Sequence, residues 1–195
     1  MTKTRADLLR REILPFFAAF AALVLAALLA DAALHAFGKV WIGRYLGIPG
    51  TLLILGSFSY SLNKRKLLDL GRPVQLLVVH QRMAWTGSLL ILVHAGVHFN
   101  AILPWLAVGA MLTNVGSGLT GKYLLKSAGR RLESARQELR AQGVPQAALD
   151  EQLYWDSLAF DAVRQWKVVH LPITLAFAVL AIAHVVTVFL FWGWR

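Results

Sequence analysis

The sequence predicts an all-α polytopic membrane protein, a bundle of five transmembrane helices with a cytoplasmic amphipathic helical hairpin. Three observations predict this class. The 195-residue chain is 57% hydrophobic, and its apolar residues gather into five runs close to the roughly 20 residues needed to cross a hydrocarbon core. Its Lys and Arg residues cluster between alternate runs. Four histidines lie inside two of the runs at equal spacing, where an ionisable side chain is costly to bury.

The first span, 13–37, follows a basic segment with Lys3, Arg5, Arg10 and Arg11. It is too long for the apolar region of a signal peptide and lacks a small-residue cleavage site leading to a soluble domain, so a retained helix is expected. The second span, 45–62, ends at Asn63-Lys64-Arg65-Lys66. The third and fourth are placed at 80–101 and 104–123, and the fifth at 168–191. Residues 126–165 are the one sizeable non-spanning segment. Two amphipathic helices are expected there, broken at Gly143-Val144-Pro145, because Leu132, Ala135 and Leu139, then Leu149, Leu153 and Trp155 with Leu158 further on, recur on helical faces. The hairpin is expected to rest on the membrane surface through basic residues and anionic lipid, with docking of a soluble redox partner as the alternative. Residues 1–195 thus read as a single membrane domain.

The formal net charge of +10 does not mark a nucleic-acid binder, because the cations sort by membrane side. Of the twenty Lys and Arg, only Lys39, Arg44 and Arg195 fall on the side opposite the N-terminus. The positive-inside rule then places the N-terminus in the cytoplasm and the C-terminus outside the inner (plasma) membrane. Trp41, Trp105, Trp192 and Trp194 fall at the expected outer boundary. The chain has no cysteine, which excludes thiolate catalysis, disulfides, iron–sulfur ligation and Cys-based zinc sites.

His80 and His94 repeat the spacing of His170 and His184. Fourteen residues of helix rise about 21 Å and stop roughly 40° short of four full turns, so both members of a pair share a face. In the expected topology the third and fifth spans run parallel. His80 then meets His170 at the cytoplasmic depth, and His94 meets His184 at the outer depth. Two imidazoles suit a haem, whose porphyrin fills the other coordination positions, whereas a bare zinc or iron ion needs further ligands. Without a Cys-x-x-Cys-His motif the two haems are expected to be non-covalent and b-type. Saturated ligation suits electron transfer.

Gly87 lies two turns from both His80 and His94. There it either leaves room for the macrocycles or serves close helix packing. Arg82, Lys126, Arg164 and Lys167 lie near the inner depth, where they either pair with propionates or serve topology. His98, one turn beyond His94, is read with His35 and Asp31 as an outer polar or quinol site, the alternative for Asp31 and His35 being simple interfacial placement.

The segment Trp166-Lys167-Val168-Val169-His170-Leu171-Pro172, with Ala183-His184-Val185 and the span carrying His80 and His94, resembles the di-haem membrane cytochromes b. The nearest likeness is to the ferric-reductase-like transmembrane domain of ferric reductases and NADPH oxidases. The resemblance covers about residues 45–191 and implies that His80, His94, His170 and His184 are the haem ligands. The sequence departs from that family in having no sixth span and no flavin or nicotinamide domain, and no Gly-x-Gly-x-x-Gly turn follows a strand. Electrons are therefore expected to pass to or from a quinone or other subunits of a redox complex. Two alternatives keep the same residues: a stand-alone quinone, superoxide or ferric reductase, and a haem-free, His-dependent metal or proton transporter.

Overall fold

The computed structural model describes residues 9–96 and 101–191. Among them every regular element is helical. A π-helical turn, Leu9–Ile13, leads into α1 (Leu14–Ala36). Helix α2 (Val40–Ser57) and the short α3 (Ser59–Lys64) follow, then α4 (Pro73–Ala95) and α5 (Ile102–Leu119). A second π-helical turn, Thr120–Leu125, joins α5 to α6 (Lys126–Ala141), and α7 (Gln146–Gln152) precedes α8 (Tyr154–Phe191).

Five of these helical stretches are long and apolar enough to cross a membrane: Arg10–Ala36, Val40–Lys64, Pro73–Ala95, Ile102–Ala141 and Tyr154–Phe191. Between 6% and 22% of each apolar stretch is buried within the protein. Phe17, Leu29, Leu52, Val179 and Leu190 are all more than half exposed. Helices that are apolar all round and still uncovered have lipid as their solvent, so the chain is a multi-pass membrane protein.

The boundaries differ from the sequence expectation where helical propensity and apolarity part company. Helix α4 starts at Pro73, seven residues before the expected 80, because Pro at the first helical position has no N–H to leave unpaired. It stops at Ala95, where Gly96 takes a positive φ of 57° and donates its N–H to the Leu92 carbonyl. The fourth helical stretch does not end near 123 but continues to Ala141. The hairpin break is where it was expected, with Gly143 at φ 74°. It separates α6 from α7 and a long α8, so the segment holds three helical pieces instead of two.

Two compact units divide the described chain: residues 9–20 with 116–172, and residues 21–96 and 101–115 with 173–191. The first holds a buried ion pair. The Glu12 carboxylate, 5% exposed, pairs with Arg131 and accepts a 2.6 Å hydrogen bond from the Ser127 hydroxyl. A carboxylate removed from water needs such partners.

The second unit is organised by the antiparallel packing of α2 on α4. Gly43 lies against His94, Gly50 against Gly87 and Ser57 against His80, so the contact repeats every seven residues on each helix. Gly43, Gly50 and Ser57 are the buried positions of α2, and Gly87 and Ser88 are buried on α4. A Cβ on Gly87 would stand 2.9 Å from the Gly50 carbonyl oxygen, and one on Gly50 would stand 3.1 Å from the Gly87 carbonyl oxygen. Within lipid, helices associate through this kind of close small-residue contact and not through apolar burial. Gly87 therefore sits in the helix contact.

Candidate functional site: the histidine pairs

All four paired histidines are half-buried. On α4 they turn toward α2. His80 Nδ1 donates to the Ser57 carbonyl at 2.9 Å, and His94 Nδ1 donates to the Gly43 carbonyl at 3.3 Å. A carbonyl can only accept, so each ring carries a proton on Nδ1, and in the neutral ring the lone pair is then on Nε2. A helical carbonyl has a second lone pair beyond its i+4 bond and can accept the additional hydrogen bond. The ring reaches it only because the facing residues are small. A Cβ on Gly47 would lie 2.8 Å from His94 Cδ2, inside the imidazole's own space. The Tyr60 ring lies 5.6 Å from that of His80, centroid to centroid.

On α8, His170 Nδ1 lies 3.1 Å from the buried Ser117 hydroxyl of α5. A hydroxyl both donates and accepts, so this contact orients the ring without fixing its tautomer. In the other unit, Thr174 donates to Asn114 at 2.9 Å, again between α8 and α5. One turn after His184, Thr187 donates to the His184 carbonyl at 2.8 Å.

The structure brings His94 and His184 together. Their ring centroids are 6.3 Å apart and the ring planes are inclined at 60°. Two imidazoles bound end-on to one central metal, each bond about 2 Å and each ring centre about 1 Å behind its nitrogen, hold their centroids about 6 Å apart. The measured separation therefore fits a shared metal. It also lies within the range of ordinary packed aromatic pairs, about 4.5–7 Å. Among the described residues no three His, Cys, Asp or Glu side chains converge. A bare ion would need such a cluster, whereas a haem needs only two axial ligands. His80 and His170 fall in different units, so their pairing rests on the sequence.

Of the remaining expected residues, Arg82 is exposed on α4. His35 is exposed and its Nδ1 hydrogen-bonds the Asp31 carbonyl at 2.9 Å, with the Asp31 carboxylate 3.7 Å away. Asp31 also borders a cavity of about 90 Å³ lined by Val24, Ala27, Leu28, Leu92, Gly96 and Leu112. His98, Trp192 and Trp194 lie outside the described residues.

Sequence reasoning missed the residues that orient the histidines: Gly43, Gly47, Ser57 and Ser117. The signal was available in the second span, where Gly43, Gly50 and Ser57 recur at intervals of seven. No family model, no curated protein and no solved structure matches the chain.

Proposed function

We propose that the chain is a di-haem b-type cytochrome subunit that carries electrons across a membrane, between a quinol or protein partner on one side and a second redox partner on the other. The observation that carries this reading is the His94–His184 pair, at a separation that suits one shared metal, with His94 held in the tautomer that leaves Nε2 as the ligand atom. His94 and His184 would hold the outer haem, and His80 and His170 the inner one. A bound haem would supply a reversible one-electron couple.

The residues' share is positioning. The Gly43 and Ser57 carbonyls draw on the Nδ1 protons of His94 and His80, which raises the basicity of the opposite nitrogen and holds each ring against rotation. The cation distribution supports an N-terminus in the cytoplasm.

The test is transmembrane electron transfer in liposomes containing the purified chain, with ferricyanide trapped inside and dithionite added outside. Ferricyanide reduction that depends on the chain and falls at least tenfold in His184→Ala is the expected result. Equal rates for His184→Ala and the native chain would overturn the proposal. A colourless preparation showing histidine-dependent ion uptake would replace it with a transporter.

A further inference from the structure

The unit formed by residues 9–20 and 116–172 contains an open cleft of about 450 Å³ between α6 and the first part of α8. Lys126, Arg130 and Glu133 line it from α6, and Phe160 and Arg164 from α8. The spacings of four and three residues put the α6 group on one face of that helix, and Phe160 and Arg164 share a face in the same way. Among the described residues no carboxylate is ion-paired with Lys126, Arg130 or Arg164. The one acid among the described residues that line the cleft, Glu133, is engaged by the Gln137 amide at 3.1 Å. The cleft thus presents three cations with their charge unspent.

Its floor is apolar and tightly made. A Cβ on Gly129 would stand 3.1 Å from the Phe160 ring, so the glycine lets the two helices close over the aromatic side chain. Leu125, also at the cleft, is the last residue of the π-helical turn that follows the apolar α5, and from Lys126 onward the helix is strongly charged. The chain changes from lipid-soluble to water-soluble character at this level. Lys122 caps the Tyr123 ring at 4.9 Å, an interfacial pairing one turn earlier. Cations above an apolar floor at such a transition suit a group that is anionic at one end and apolar at the other.

We infer that this cleft binds the phosphate of an anionic phospholipid headgroup, with Lys126, Arg130 and Arg164 around the phosphate and Phe160 and Leu125 beneath its glycerol and first methylenes. The volume lies within the ordinary range of ligand sites, roughly 300–1,000 Å³. Arginine suits the task because its planar fork matches phosphate oxygens in pairs. The inference does not depend on haem.

The test is binding of short-chain phosphatidylglycerol to the full chain purified in zwitterionic detergent, read by native mass spectrometry and with helicity checked by circular dichroism. Saturable binding of phosphatidylglycerol, but not of phosphatidylcholine with the same acyl chains or of inorganic phosphate, is the expected result. Arg130→Gln and Arg164→Gln should each weaken it about fivefold. Arg140→Gln, outside the cleft, should bind like the native chain. Inorganic phosphate binding as tightly as the lipid would reassign the cleft to a soluble anion. Equal binding of phosphatidylcholine, or equal losses in all three variants, would overturn the site.

Discussion

A carbonyl oxygen has no proton to give, so the bonds from His80 and His94 to Ser57 and Gly43 fix a tautomer as well as an orientation. The chemistry of the two imidazoles is therefore set by backbone atoms of a neighbouring helix, and side-chain mutagenesis reaches it only indirectly. Gly47 is the lever. Alanine there places a methyl group within 2.9 Å of three His94 ring atoms, which must swing the ring or separate the helices. Gly47→Ala is expected to shift the midpoint potential or lower the occupancy of one haem while leaving the other unchanged, as read by redox titration of the visible spectrum. A second prediction concerns Glu12. Arg131→Gln removes an ion partner from a buried carboxylate, at an expected cost of about 1–3 kcal/mol, discounted because Arg131 is partly exposed. Thermal unfolding of the purified chain checks this, and Arg131→Lys should recover part of the loss.

At the scale of elements, the contact between α2 and α4 does two tasks at once. The same seven-residue recurrence that lets the helices approach also presents a carbonyl to His80 and to His94. Gly87→Ala drives a methyl group to 2.9 Å from a backbone oxygen that cannot rotate away. It is expected to cost about 1–3 kcal/mol and to disturb both haems together, unlike Gly47→Ala. Haem retention on stepwise heating separates the two variants. The five spans, the shared face of His80 and His94 and the break at Gly143 were legible in the sequence, because apolar runs, helical periodicity and glycine at positive φ are local signals. The ends of the spans were less so. Residues 124–141 are rich in Leu, Ala, Arg and Glu, which favour helix whatever their polarity, so the helix outlasts the apolar run. The role of Gly43, Gly47 and Ser57 was missed for a different reason. Their importance depends on which helix they face, and pairing of helices is not a local property.

Across the whole molecule, the account rests on where the histidines stand relative to the two sides of the membrane. Because the chain contains no cysteine, single cysteines can be introduced as reporters of sidedness. Lys39→Cys is expected to react with a membrane-impermeant maleimide in intact cells, and Asp69→Cys only after the membrane is opened. The reverse pattern would invert the orientation and exchange the inner and outer histidine pairs. The central claim is that four histidines hold two haems. Its most direct test is a pyridine haemochrome spectrum with protein quantitation on the detergent-purified chain, alongside His94→Ala, His184→Ala and the double variant. The account predicts two b-type haems per native chain and one in each of the three variants, since His94 and His184 serve the same haem. No haem in the native chain after expression with ample haem supply, or a double variant that keeps both, would contradict it.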